Sequence, residues 1–174
     1  ITLNATSRRN ADRIDIEPML VKVFGSAVFG INATVVTVEV NVETGAFFII
    51  VGLPDSSVKE SQQRMDAALR NNGYYMPRGK GVTVNLAPAD IRKEGTAYDL
   101  PLAVGLLAAT EQAPVDLLVD HLVMGELSLD GGVRPIKGAL PIALEAKKQG
   151  FKGIILPAAN AREAAIVTGL DVFG

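Results

Sequence analysis

Cysteine is absent from the 174 residues, and histidine occurs once, at His121. The first absence excludes a disulfide framework and any thiolate metal site. The second excludes a zinc site built from several histidines and leaves little for serine–histidine hydrolysis. Tryptophan is missing and aromatic residues make up 5% of the chain. Phe24, Phe29, Phe47 and Phe48 lie near one another in sequence, but they read as strand core rather than as a porphyrin pocket. No charge of one sign dominates, because 17 Lys and Arg stand against 19 Asp and Glu. That balance gives no global attraction to nucleic acid or to an anionic membrane, so such binding would need a local patch. No apolar run approaches the roughly 18 residues a membrane helix needs. The longest, Leu100 to Ala109, is interrupted by Pro101 and Gly105. No signal peptide is visible, so no membrane partner is expected and the cytoplasm is the expected compartment.

What is present is the composition of an ordinary globular domain, 48% apolar and 21% charged, at a length that buries a substantial core. Residues 1–18 are polar and poorly periodic, and Met19 opens a strand-like run. Residues 1–18 are therefore expected to be a tag or mobile extension, and 19–174 the domain proper. The chain stops inside the apolar stretch LDVFG, as a piece of something longer would.

Val36 to Val42 alternates valine with polar residues, the period of a half-buried strand. With the run before it, and with AFFIIVGL after the turn Glu43-Thr44-Gly45, it predicts strands over 19–52, the last two paired as an antiparallel hairpin. Residues 55–73 read as a helix with Ser57 and Glu60 as a capping box and Gly73 beyond its end. Val58, Met65, Ala68 and Leu69 share one face of it. GVTVNL at 81–86 is another alternating strand. LPLAVGLLAA at 100–109 is apolar all round, which places that helix in the core. Residues 122–132 read as strand and turn, 138–150 as a helix, 153–157 as a buried strand, then a small helix and a last strand. Strands first and alternating units after give an α+β, α/β-like fold with helices packed on a mixed sheet.

Gly73 to Gly81 (GYYMPRGKG) resembles a phosphate loop only superficially. Its glycine spacing is one residue too long, and Gly81 stands where a Mg²⁺-binding hydroxyl would be. Asp130-Gly131-Gly132 reads as a turn. Asp90, Glu94 and Asp99 cluster in sequence, but Asp99 stands at a helix start and is expected to cap it. Glu126 and Arg134 are expected to pair across a tight turn. Arg78 and Lys80, Arg92 and Lys93, and Arg134 and Lys137 are candidate contacts for DNA or a partner if they converge.

The segment 125–164 (GELSLDGGVRPIKGALPIALEAKKQGFKGIILPAANAREA) resembles the end of the Lon proteolytic domain and the Lon-like domain of RadA. Both have the ribosomal protein S5 domain 2-like fold. The stretches VGLPDSSVKESQQRMDAALRNNGY (51–74) and VNLAPADIRKEGTAYDLPLAVGLLAA (84–109) resemble the N-terminal domain of the ComM/YifB family of magnesium-chelatase-like AAA+ ATPases. The resemblance covers Met19 to Gly174. It implies a following ATPase module with ATP and Mg²⁺, a homo-oligomeric ring, expected as a hexamer, and work on DNA in recombination and transformation. No cofactor is expected in this fragment.

Lon-type proteolysis uses a serine–lysine dyad. Laid on KEGTAYD, the serine position falls on Ala97, and the lysine position, sixth from Pro135, falls on Leu140. Neither side chain can act as nucleophile or base. A shifted pair of Thr96 with Lys137 is the remaining route to hydrolysis. The sequence thus points to a non-catalytic Lon/S5-like module that assists ring assembly or DNA handling. The alternatives are a Lon-type protease domain and a magnesium chelatase subunit.

Overall fold

In a computed structural model, residues 19–114 and 118–174 are described; the extension expected at 1–18 lies outside them. The first elements are β1 (Met19–Phe29), β2 (Asn32–Thr44) and β3 (Phe47–Val51). Two helices, α1 (Ser56–Lys59) and α2 (Ser61–Asn71), lead to β4 (Lys80–Ala87) and α3 (Asp99–Ala109). Then come β5 (His121–Val123), β6 (Glu126–Leu127), β7 (Val133–Arg134) and α4 (Ala139–Lys148). The chain closes with β8 (Gly153–Ile155), a 3-10 turn at Ala158–Asn160, α5 (Ala161–Ala164) and β9 (Asp171–Phe173).

The main sheet has seven strands in the order β3-β4-β2-β1-β5-β8-β9, and β6 with β7 forms a separate ribbon. Pairings of β1 with β2 and β2 with β4 are antiparallel; the others in the sheet are parallel. The fold is the mixed α/β one that the sequence predicts. No helix among the described residues is long and apolar enough to cross a membrane.

Alternation decides which face each strand buries. Val36, Val38, Val40 and Val42 point to one side, with Val21 and Val23 of β1 and Val82, Val84 and Leu86 of β4, and all are buried. α3 lies on this face, and α2 adds Met65, Ala68 and Leu69 behind it. Gly105 permits the close approach, since a Cβ there would stand 2.8 Å from Val40 Cγ2. On the opposite face, Leu122 and Ile154 meet Ile142, Ala143 and Ala146 of α4, forming a second core. Each fully buried aliphatic side chain contributes roughly 1.5–3 kcal/mol.

Two sequence expectations need correcting. β2 and β3 are not neighbours, because β4 lies between them, antiparallel to β2 and parallel to β3. The chain crosses the start of β4 in two residues because Gly81 has no side chain where Phe47 lies; a Cβ there would be 2.4 Å from Phe47 Cζ. The antiparallel hairpin is instead β1 with β2, turned at Gly30 and Ile31. The helix cap is Asp55, whose Oδ1 accepts from Val58 N at 2.8 Å, rather than Ser57.

Candidate functional site

The segment KEGTAYD joins β4 to α3 and is tied down at each end. Lys93 N donates to Leu53 O at 3.1 Å and Asp55 N to Lys93 O at 2.9 Å, so residues 53–55 and 93 run as a short parallel bridge. The second oxygen of Asp55 accepts from Gly95 N at 3.1 Å. One carboxylate therefore caps α1 and holds the loop. Lys93 is fully buried, and its ammonium donates to Gly52 O at 2.9 Å and to Pro88 O. Burial pushes its pKa below the ordinary lysine value, against a smaller upward pull from Asp90. Lys93 therefore cannot be the surface contact for DNA or a partner that its charged neighbours suggest.

Asp99 is also fully buried and does not cap α3 as expected. Its carboxylate leaves its own helix and takes Arg64 Nε at 2.6 Å, Arg64 NH2 at 2.9 Å, Ser61 Oγ at 2.5 Å and Leu127 N at 3.2 Å. The charge-assisted bond to Asp99 raises the Arg64 pKa, desolvation opposes it, and the Asp99, Glu60 and Glu126 charges add to the rise. Asp99 locks α2, α3 and β6 together just behind the loop.

In front of the loop is a cavity of about 570 Å³. It is lined by the end of β1 (Ser26 to Phe29), by the loop from Glu94 to Tyr98, and by Pro135 to Lys137. Of the two dyad positions read from the sequence, one borders it. Ala97 lines the cavity, and Leu140 sits in the first turn of α4. Both pack against the second core, and Leu140 N donates to Glu163 Oε1 at 2.9 Å. The Thr96 hydroxyl donates to Glu126 Oε2 rather than meeting Lys137. Glu126 does stand opposite Arg134 in the β6–β7 register, but no ion pair within 4.0 Å joins them among the described residues. The pair expected across that turn is therefore replaced by the Thr96 bond, a partner no local spacing announces. The result is a hydroxyl bound to a carboxylate, with no amine in bonding contact among the described residues.

Tyr98 forms the back of the cavity. It is buried, and its hydroxyl has no hydrogen-bond partner among the described residues. Desolvation, with the Asp55 charge adding to it, pushes the phenol pKa well up. A folded-state value above the unfolded one means stability that is complete below the ordinary phenol value and lost as pH rises beyond it. Tyr98→Phe removes an unpaired buried polar atom and this titration together. It should raise stability by about 1 kcal/mol at neutral pH and by more above about pH 10. Urea unfolding at both pH values checks this; a loss of stability would mean the hydroxyl has a partner in solution.

The six cations expected to converge do not form one group. Arg92 lines the large cavity beside Lys137 and pairs with Glu94 at 3.1 Å. Arg78 and Lys80 line a separate cavity of about 230 Å³ with Tyr75, Pro77 and Glu111. Lys80 opens β4 and Arg92 follows its other end, roughly 23 Å away by strand rise. Arg134 is exposed on β7, and Lys93 is interior. GYYMPRGKG leads into a strand rather than a helix, so it lacks the helix terminus a phosphate loop uses. Among the described residues no group of three or more His, Cys, Asp or Glu could hold a metal ion.

The family described as subunit ChlI of Mg-chelatase matches residues 38–160. The chain is 44% identical over 144 residues to YifB of Escherichia coli, covering 82% of this chain and 28% of that protein. It is 40% identical over 152 residues to the competence protein ComM of Haemophilus influenzae, covering 87% and 30%. Weaker similarity reaches Lon protease 2 of Bacillus subtilis, 29% over 181 residues, covering 94% and 32%. It also reaches the DNA repair protein RadA of E. coli, 32% over 108 residues, covering 62% and 23%. The chain thus spans about 30% of the length of the curated relatives it matches.

Proposed function

Because the chain belongs to the ChlI family of Mg-chelatase-like proteins, with YifB and ComM among its relatives, we propose that it is a non-catalytic module of a longer ComM/YifB-type ATPase. The observation that supports this lies in the large cavity. By resemblance the dyad positions of a Lon-type peptidase fall on Ala97, which lines the cavity, and on Leu140, which packs against the second core, and the hydroxyl next to Ala97, that of Thr96, is engaged by Glu126. The parent protein is proposed to bind ATP and Mg²⁺ outside this segment, to assemble as a homo-oligomeric ring, a hexamer in the simplest case, and to work in the cytoplasm. The module's role is to support that assembly, and the separation of its cations favours assembly over a broad DNA surface.

The full-length protein should form a ring with ATP and Mg²⁺ in mass photometry, and deletion of residues 19–174 should reduce it. An unchanged ring would remove the assembly role. With an unfolded substrate and ATP, no cleavage is expected; cleavage lost in Thr96→Ala would restore the protease alternative.

DNA handling is the second reading, confined to residues 74–80. Tyr74 and Tyr75 are exposed there, beside Arg78 and Lys80, which have no ion partner among the described residues. Exposed aromatics next to free cations suit stacked bases and phosphates. If this loop binds single-stranded DNA, the double variant Arg78→Ala with Lys80→Ala should flatten the salt dependence by about one to two log units per log unit of salt. An unchanged slope would exclude this loop.

A further inference from the structure

β1 outruns its neighbour. On one side it pairs with β2 along its whole length, but on the other the ladder with β5 holds only Phe24 opposite Leu122. Beyond Val123 the chain turns away, because Gly125 N bonds to Ala97 O at 2.9 Å. Ser26 N consequently donates to Met124 Sδ at 3.2 Å, which shows that Ser26 directs its main chain away from β2. Main-chain groups of alternate residues point the same way along a strand. Val28 therefore also directs its N–H and C=O away from β2, and neither has a hydrogen-bond partner among the described residues. This unpaired edge lines the large cavity.

We propose that the cavity takes an extended peptide segment of a partner protein, added as a strand to the free edge of β1 at Val28. Val28 is half-buried, and its free edge donor and acceptor are a template for a further strand, which a peptide main chain supplies by pairing with both at once. The cavity of about 570 Å³ lies in the usual range for a ligand site. The edge from Ser26 to Phe29 is about 10 Å long, room for about four extended residues. Apolar surface at Ala27, Met124 and Ile142 suits aliphatic side chains at alternate positions. Charge sets the remaining preference. The preference is local: Arg92 is paired with Glu94 and Glu126 keeps its charge behind the Thr96 bond, whereas Lys137 is exposed and has no ion partner among the described residues. The segment that fits is apolar at alternating positions and carries an acidic residue opposite Lys137.

The inference rests on the non-catalytic reading, since a site that cut the segment would not hold it. The test uses the 174-residue chain against a random hexapeptide display library, followed by synthesis of the enriched peptides. Their binding should shift the amide resonances of Ala27 to Phe29. N-methylation of the single peptide amide that faces the Val28 carbonyl should weaken binding at least about tenfold, and methylation of the next amide should not. Lys137→Glu should weaken acidic peptides about fivefold, and Val28→Pro, which deletes the N–H, should abolish enrichment. If Val28→Pro does not fold, the N-methyl scan alone decides. No enrichment, a flat scan, or a footprint away from β1 overturns the inference and leaves the non-catalytic reading standing. Peptides that bind at β1 and are then cut overturn the non-catalytic reading, and with it the inference that the cavity holds an intact segment.

Discussion

Asp99→Ala lowers stability by about 3–5 kcal/mol, the cost of breaking a buried ion pair by deleting one partner. The carboxylate is fully buried and Arg64 is only 18% exposed. Its removal strands a guanidinium, the Ser61 hydroxyl and Leu127 N in the space between α2, α3 and β6. For a chain of this size the loss corresponds to a fall in Tm of roughly 10 °C. Asp99→Asn keeps an acceptor for Ser61 but leaves the Arg64 charge unbalanced, so it should fall between the wild type and Asp99→Ala. Glu94→Ala is the control. It breaks the exposed Arg92–Glu94 pair and should cost no more than about 0.5 kcal/mol. Thermal and urea unfolding of the three variants decide the point. A cost below about 1 kcal/mol for Asp99→Ala would show that the cluster does not hold the loop.

Gly52→Ala should cost a comparable amount for a different reason. Gly52 has φ +94 at the exit of β3, and a Cβ there would lie 2.2 Å from Leu86 O. The contact is with main chain in the neighbouring strand, so no side chain can swing aside. Backbone strain of about 1–3 kcal/mol adds to a steric penalty of similar size, and about 3–5 kcal/mol is the expected total. The damage should reach the cavity, because Gly52 O is a partner of the Lys93 ammonium. Loss of native Lys93 burial should appear as faster amide exchange at Gly95 and Thr96. A Gly52→Ala protein as stable as the parent would mean that this turn relaxes freely.

Local patterns announce the elements whose own residues carry the signal. The valine alternation marks β2 and the all-apolar stretch marks α3, because burial on one face or on every face leaves a direct trace in residue order. Pairing partners leave less trace. The insertion of β4 between β2 and β3 depends on Gly81 leaving room for Phe47, and a single glycine facing a phenylalanine 34 positions away, by their residue numbers, is invisible to periodicity. The site divides in the same way. Ala97 and Leu140 are legible because resemblance fixes positions along the chain. The Thr96–Glu126 bond and the Asp99–Arg64 pair are not, since each joins residues about 30 or more apart. Lys93 misleads because its neighbours Arg92 and Glu94 are solvated, whereas the backbone bridge to residues 53–55 turns Lys93 alone inward.

The seven-stranded sheet has a consequence beyond the free edge at β1. Its two faces divide the molecule into two separately filled interiors that share one wall. Substitutions deep in one should add independently to substitutions deep in the other. Each half can thus drift in sequence without consulting its neighbour, except at the crevice bordered by both, where a change of fit on either side is felt by whatever lies between.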